Sequence, residues 1–172
     1  VVMWRPDENK YDKPVAVLQI SHGMIEYIDR YDGFARFMAD RGFVVVGNDH
    51  LGHGESVCSD DDLGFFKDEH PGEALAKDVH HLTVLIKKMY PGIPYYLLGH
   101  SMGSFVTRKY ICDYGYELDG VIIMGTGHQP TPMVLAGKAL ADITRLIKGD
   151  RYRSRLISKI MFGAYNKRIK NV

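Results

Sequence analysis

Ser101 is the residue whose surroundings most clearly suggest chemistry. It stands in the run Gly-His-Ser-Met-Gly at 99–103, after a short apolar stretch and before a segment with helical spacing. A serine at a sharp strand-to-helix bend, with glycine two places before and after it, is a nucleophile elbow. Gly99 and Gly103 lack a Cβ, so the helix can pack close to its strand and the hydroxyl can project from the sheet edge. The sequence therefore predicts Ser101 as a catalytic nucleophile.

Two main-chain amides are candidates for stabilising an oxyanion next to this serine. The helix that begins after Ser101 has unpaired N–H groups in its first turn, which makes the N–H of Met102 a natural first donor. The pair His22-Gly23 follows an early apolar run, and a glycine there lets the next N–H turn toward the nucleophile. Met24 is thus the candidate for the second donor. His22 by itself is more typical of a loop or packing histidine.

The segment 49–56, Asp-His-Leu-Gly-His-Gly-Glu-Ser, is expected to form a tight loop after another apolar strand. Its glycines permit positive φ, and Asp49 or Ser56 can cap exposed main-chain N–H groups. His50 and His53 could be metal ligands, but no matching cysteine or carboxylate cluster accompanies them. The sequence therefore predicts no metal site.

These groups depend on a repeating order of strands and helices. Apolar runs typical of strands alternate with helical patterns, in the order strand 1–4, strand 15–20, helix 31–41, strand 43–48, helix 72–90, strand 95–98, helix from 102, and strand 120–124. Continuous apolar strands alternating with helices predict a mostly parallel sheet covered on both faces, with 120–124 as a further buried strand. Catalytic groups then belong at the carboxyl ends of the strands, where Met24, Asp49 and Ser101 all fall.

Length and composition limit the possible classes. A chain of 172 residues that is 45% hydrophobic can bury one core, and it contains no apolar run long enough for a transmembrane helix. The first residues lack the basic and apolar regions of a secretion signal. Cys58 and Cys112 form no disulfide framework and no CxxC motif, which is typical of a reducing compartment. We therefore expect a cytoplasmic protein.

The net charge changes sign along the chain. Up to Pro132 there are 12 Lys and Arg against 19 Asp and Glu, whereas from Met133 onward there are 10 against 2. We take residues 1–130 as the core and 131–172 as a separate helical segment. The apolar face of this segment is either ordinary core or a binding surface, while its basic residues would attract anionic headgroups or a membrane surface. A nucleic-acid partner is disfavoured, because no aromatic stacking platform accompanies these charges.

Three runs together resemble a known family. The runs at 21–26 (Ser-His-Gly-Met-Ile-Glu), 48–56 (Asn-Asp-His-Leu-Gly-His-Gly-Glu-Ser) and 98–104 (Leu-Gly-His-Ser-Met-Gly-Ser) look like the monoacylglycerol lipase and lysophospholipase branch of the α/β-hydrolases, which includes serine aminopeptidase S33-type hydrolases. The resemblance implies a serine esterase acting on lipid-like acyl esters. Ser101 would be its nucleophile and the N–H groups of Met24 and Met102 its oxyanion hole. It implies no metal and no organic cofactor.

The chain departs from this family in its catalytic triad. An α/β-hydrolase triad runs Ser, then Asp or Glu, then His, but the one histidine after Ser101 is His128, which precedes Asp142 and Asp150. His128 could serve as the base only outside the family order. The pattern favours the front part of a longer enzyme, incomplete at its C-terminal side. Residues 131–172 would then be the start of a helical cap, or lid, whose apolar side guides an acyl chain.

Two other functions fit the same sequence. The first is a non-catalytic α/β-hydrolase-like binding module, in which the elbow survives only as structure; the absent triad partners favour it. The second keeps the hydrolase but changes the substrate to short-chain esters or to amides at peptide N-termini. The intact elbow and the His22-Gly23 pair favour an enzyme over a binding module.

Overall fold

A computed structural model describes residues 1–66 and 70–166, with side chains described as far as Ile160. The chain divides into two compact units, Val1–Gly127 and His128–Val172. In the first unit the principal elements are β1 (Val2–Trp4), β2 (Ala16–Ser21), α1 (Asp32–Ala39), β3 (Phe43–Gly47), α2 (Pro71–Met89), β4 (Tyr95–His100), α3 (Met102–Tyr114) and β5 (Gly120–Met124). The second unit contains α4 (Thr131–Lys148) and α5 (Arg155–Asn166).

The five strands form one sheet in the order β1-β3-β2-β4-β5. Strand β1 is antiparallel to β3, and the other neighbouring strands are parallel. The predicted α/β class with a mostly parallel sheet is therefore confirmed. The parallel register pairs Ile20 with Gly47 and Ser21 with Gly99, so β2, β3 and β4 end at the same edge of the sheet.

Both faces of the central strands are buried, which explains why their sequences are continuously apolar rather than alternating. On one face Leu18 and Val45 pack with the small residues Ala35 and Ala39 of α1. The other face packs against α2 and α3, through residues that include Val17, Val44, Leu82, Ile86, Val79 and Val106. Helix α1 presents its alanines to the sheet, whereas Phe34 and Phe37 are exposed. The large aromatic residues of this helix therefore do not mark its buried face.

Strand β5 exists where the sequence predicts it, but the expectation that it is buried was wrong. Val121, Ile122, Ile123 and Met124 are between 36 and 47% exposed. The reason is topological, because β5 is the last strand in the order of the described sheet. Apolar composition alone does not distinguish an edge strand from a central one.

The described part of the second unit, up to residue 166, contains two amphipathic helices. Between them lies a cavity of about 450 Å³, lined mainly by apolar residues: Gln129, Met133, Val134, Gly137, Leu140, Ala141, Ile157 and Ile160. Helix α4 ends at Lys148 and is followed by Gly149, whose φ of +89° is readily adopted by glycine. In the described ranges, 1–66 and 70–166, no helix combines the length and apolar character needed to cross a membrane.

Candidate active site

Ser101 occupies a strained backbone conformation between β4 and α3. Its φ is +51° and its ψ is −116°, a region that residues with a side chain rarely adopt. Such strain costs on the order of 1–3 kcal/mol and persists only where the surrounding structure maintains it. Here the Ser101 N–H donates to the Met124 carbonyl at 3.0 Å, and Ser104 Oγ donates to the Ser101 carbonyl at 2.5 Å. The predicted sharp bend is thus present, with the serine at its apex.

The two glycines of the elbow allow different close approaches. A Cβ on Gly99 would overlap Thr107 Oγ1 and lie 2.5 Å from the Gly103 carbonyl oxygen, so this glycine lets α3 pack against its own strand. A Cβ on Gly103 would instead overlap the Ser21 carbonyl oxygen and lie 2.6 Å from that of His22. Gly103 therefore brings the elbow against the end of β2, a contact with a different strand from the one expected.

The loop after β2 lies against the nucleophile. A Cβ on Gly23 would be 3.1 Å from the Cβ of Ser101, so the missing side chain leaves room for the serine. Met24 follows in the same loop and is 39% exposed, while Met102 begins α3 directly after Ser101. The structure thus brings the segments carrying the three predicted site residues to one place.

His22 is a buried, neutral histidine that positions main chain. Its Nδ1 lies 2.8 Å from the Gly23 carbonyl oxygen, and its Nε2 accepts from the His50 N–H at 2.9 Å. Since a carbonyl can only accept and an N–H can only donate, the proton belongs on Nδ1. Burial lowers the pKa of His22, which is consistent with the neutral form. His22 therefore connects the loop after β2 to the loop after β3 through hydrogen bonds. Because both of its ring nitrogens are occupied by main-chain groups, it does not act as a catalytic base in this arrangement.

The loop 49–56 is organised by Asp49. One carboxylate oxygen accepts from the Ile28 N–H at 2.7 Å and the other from the Glu55 N–H at 2.8 Å, while Ser56 Oγ donates to the Asp49 carbonyl at 2.8 Å. Gly52 and Gly54 have positive φ, as the sequence predicts. In the part of the chain that the structure describes, no group of three or more His, Cys, Asp or Glu is arranged to bind a metal.

His50 is almost fully buried, and burial lowers its pKa to about 3. Its unfolded-state pKa is near 6.5, so between these values the unfolded chain binds the extra proton and the free energy of unfolding falls as the pH decreases. Between pH 7 and pH 5.5 we expect the titration of His50 alone to lower the free energy of unfolding by about 1 kcal/mol. His22, whose pKa is also lowered, adds to this loss. Glu26, whose pKa is lowered from 4.5, cannot contribute in this window because it stays ionised in both states.

Urea unfolding at the two pH values measures this effect. His50→Gln should reduce the difference in free energy of unfolding between them, whatever its effect at pH 7. Equal pH dependence in the variant and the parent protein would show that His50 is not the buried neutral group described above.

A cluster around Glu26 was missed by reasoning from the sequence. Glu26 Oε1 accepts from the Gly23 N–H, from the Tyr31 hydroxyl at 2.8 Å and from His100 Nδ1 at 3.0 Å, and Oε2 accepts from Arg30 at 3.0 Å. Burial alone would raise the pKa of Glu26, but the hydrogen bonds from His100, Gly23 and Tyr31 outweigh it and lower that pKa. The acidic residue three places after Gly23 was the available signal.

The remaining candidate residues lie in the second unit. His128 is exposed at the start of that unit. Asp142 forms an ion pair with Lys138 at 2.6 Å, and Asp150 lies 3.6 Å from Arg145 Nε. Among the contacts of the described residues, each of these two carboxylates pairs with a basic side chain on the surface, and neither contacts a histidine.

The chain is similar to known proteins over most of its length. The family model described as serine aminopeptidase, S33, matches residues 12–167. A monoglyceride lipase homolog from Monkeypox virus is 35% identical over 146 residues, covering 78% of this chain and 50% of the relative. The human monoglyceride lipase is 28% identical over 144 residues, covering 84% of this chain and 42% of the relative.

Among solved structures, a thermostable carboxyl esterase from Bacillus coagulans, in complex with glycerol, superposes with a TM-score of 0.82 at 28% identity. The match covers 99% of this chain and 53% of the esterase. The chain therefore spans about half the length of the relatives it matches.

Proposed function

Because the chain belongs to the serine aminopeptidase S33 family of α/β-hydrolases, we propose that it carries the nucleophile of a serine hydrolase. Its substrates would be lipid-like acyl esters such as monoacylglycerol or lysophospholipid. The observation that carries the proposal is the strained Ser101 at the end of β4, packed against Gly23 of the loop after β2. Strain of this kind concentrates at functional sites. Relatives that are lipases or esterases support the ester substrate.

The proposed reaction is acyl transfer through Ser101. A histidine removes the hydroxyl proton as Oγ adds to the ester carbonyl, and the N–H groups of Met24 and Met102 stabilise the resulting oxyanion. The tetrahedral intermediate expels the alcohol, which takes the proton from the histidine, and leaves an acyl-serine. Water, deprotonated by the same histidine, then releases the carboxylic acid and regenerates Ser101. One oxyanion donor of this kind typically stabilises the transition state by roughly 2.7–4 kcal/mol.

We propose that the triad acid and histidine lie in a part of the protein beyond this chain. Two facts support this: the chain spans about half of its relatives, and the family order Ser, Asp or Glu, His has no counterpart after Ser101. The apolar side chains exposed on β5 are a suitable surface for the additional strands.

The isolated 172-residue chain should accordingly be nearly inactive. Without the histidine, we expect kcat on p-nitrophenyl esters to be roughly 10⁴- to 10⁶-fold lower than for the longer protein, because an oxyanion hole and binding alone give only residual catalysis. Turnover is measured on both proteins after circular dichroism shows that each is folded. Rapid turnover by a preparation of the short chain, with its intact mass verified, would contradict the assignment.

We propose that residues 1–130 belong to the hydrolase core and that residues 131–172 are the start of its helical cap, or lid, segment. The apolar cavity between α4 and α5 would accept part of an acyl chain, since it is bordered by aliphatic side chains such as Val134, Leu140 and Ile157. The last part of the proposed cap, 167–172, lies outside the described residues.

The same unit would contact anionic membranes peripherally from the cytoplasm. Its excess of basic residues supports this, as do exposed apolar side chains that include Leu135, Ile143, Leu146, Ile147 and Leu156. Apolar groups that enter the interface, next to basic groups that pair with lipid phosphates, are typical of interfacial helices. Sedimentation with vesicles of phosphatidylcholine, with and without phosphatidylserine, tests it.

A substrate panel separates the proposed activity from its alternatives. The full-length protein is assayed on monoacylglycerols, lysophospholipids, short-chain p-nitrophenyl esters and aminoacyl p-nitroanilides. The proposal expects the highest kcat/KM on a long-chain acyl ester. A preference for a short-chain ester or an anilide would indicate the alternative hydrolase, which acts on short-chain esters or on peptide N-termini. Inactivity on all four substrate classes would favour a binding module.

A further inference from the structure

Glu26 is a buried charge whose partners come from three parts of the site. Only 5% of the residue is exposed. Burial of an ionised carboxylate costs several kcal/mol unless hydrogen bonds compensate it. Its donors are the Gly23 main chain, the Tyr31 hydroxyl, the His100 ring and the Arg30 guanidinium. Because burial and Glu26 raise the pKa of Tyr31, the tyrosine hydroxyl remains a donor.

The bond from the Gly23 N–H closes a ring around Met24 and Ile25. Ile25 has a φ of +60°, an unfavourable conformation for a β-branched residue that costs on the order of 1–3 kcal/mol. Ile25 is 77% exposed, so its burial does not offset this strain. The hydrogen bond from the Gly23 N–H to Glu26 spans the turn that contains Ile25.

This ring also determines which amide is left for the substrate. The Gly23 N–H is occupied by Glu26 Oε1, so the next N–H in the loop, that of Met24, is the one available to an oxyanion. Since Met24 lies inside the closed turn, the orientation of its amide depends on the bond between Gly23 and Glu26.

The same carboxylate oxygen reaches the nucleophile strand. Glu26 Oε1 lies 3.0 Å from Nδ1 of His100, the residue immediately before Ser101, and Tyr31 Oη lies 3.0 Å from the same nitrogen. One oxygen atom thus contacts both the loop after β2 and the last residue of β4. Glu26 Oε1 therefore connects the two segments that would bind the reacting carbonyl.

We propose that Glu26 is a positioning residue for the oxyanion hole, which aligns the Met24 amide with Ser101 through its bonds to the Gly23 N–H and the His100 ring. The inference rests on the proposed hydrolase function. It assigns Glu26 a role in the transition state rather than in substrate binding, so its loss should lower kcat and leave KM nearly unchanged.

The test uses the full-length protein and p-nitrophenyl butyrate. For Glu26→Ala we expect kcat to fall roughly 10²-fold, as for loss of an oxyanion donor, with KM changed less than about threefold. Glu26→Gln keeps an acceptor for the Gly23 N–H but replaces charge-assisted bonds by weaker neutral ones, so kcat should fall roughly 3- to 10-fold. Thermal melting shows whether each variant is folded.

Arg36→Ala is the matched control. Arg36 is likewise an exposed arginine that pairs with a carboxylate four residues before it, but its partner is Asp32 and not Glu26. We expect this variant to retain the parental kcat.

Three results would overturn the positioning role: an unchanged kcat in Glu26→Gln, a rise in KM alone, or an equal loss of kcat in Arg36→Ala. Glu26→Gln decides the question if Glu26→Ala does not fold. A fluorophosphonate probe separates failure of this inference from failure of the hydrolase proposal. If the parent protein is not labelled, the hydrolase proposal fails; if it is labelled and Glu26→Ala is labelled equally fast, only the role of Glu26 fails.

Discussion

Replacement of Ser101 by glycine is expected to stabilise the protein and at the same time abolish its ester turnover. The φ of +51° is strained for serine, whereas glycine adopts positive φ with little cost. We expect the free energy of unfolding of Ser101→Gly to be about 1 kcal/mol higher than that of Ser101→Ala, because alanine retains the backbone strain. Both variants lack the nucleophile, so kcat should fall by roughly 10⁴-fold or more in each.

The comparison of glycine with alanine measures the strain at the elbow separately from the loss of the nucleophile. Ser59, an exposed serine that follows the loop 49–56, provides the control, and Ser59→Ala should keep the parental kcat and stability. If Ser101→Gly were less stable than Ser101→Ala, the strain at the elbow would not be a feature of the folded protein.

Gly103→Ala should be among the most destabilising single-methyl changes in this chain. The added Cβ would overlap the Ser21 carbonyl oxygen, and backbone cannot rotate away as a flexible side chain can. Overpacking of this kind costs about 3 kcal/mol or more. Any adjustment that relieves the overlap would also move the end of β2, and with it Gly23, away from Ser101, so kcat should fall in the molecules that remain folded.

Gly33→Ala provides the matched control within the same unit. Gly33 lies in α1, and a Cβ added there has no heavy atom within 4 Å. We expect its free energy of unfolding to be unchanged or raised by up to about 1 kcal/mol, since alanine is the better helix former. Urea unfolding measures both variants. Equal stability of Gly103→Ala and Gly33→Ala would contradict the close packing of the elbow on β2.

The order of strands and helices and the position of the elbow could be predicted because their signals are local. The apolar runs, the helical spacing and the glycines around Ser101 all lie within a few residues of the feature they indicate. The burial of β5 could not be predicted, because it depends on which strands are its neighbours. Similarly, Ala35 rather than Phe34 faces the sheet, a choice made by the space between α1 and the strands.

The network around Glu26 shows a second limit. Glu26 and His100 are 74 residues apart in sequence, and their contact exists only because β2 and β4 are neighbours in the sheet. Nothing in the periodicity of either segment indicates such a pair. Likewise, the neutral state of His22 follows from two main-chain partners, one of them contributed by the loop after β3.

The central claim is that Ser101 is the nucleophile of an acyl-transfer reaction, and mapping of a covalent adduct tests it most directly. The full-length protein is treated with a fluorophosphonate probe, digested, and analysed by peptide mass spectrometry. We expect one modified peptide, with the phosphonyl group on Ser101, and no modification in Ser101→Ala. A folded protein that remains unmodified, or that carries the adduct on another serine, would contradict the claim.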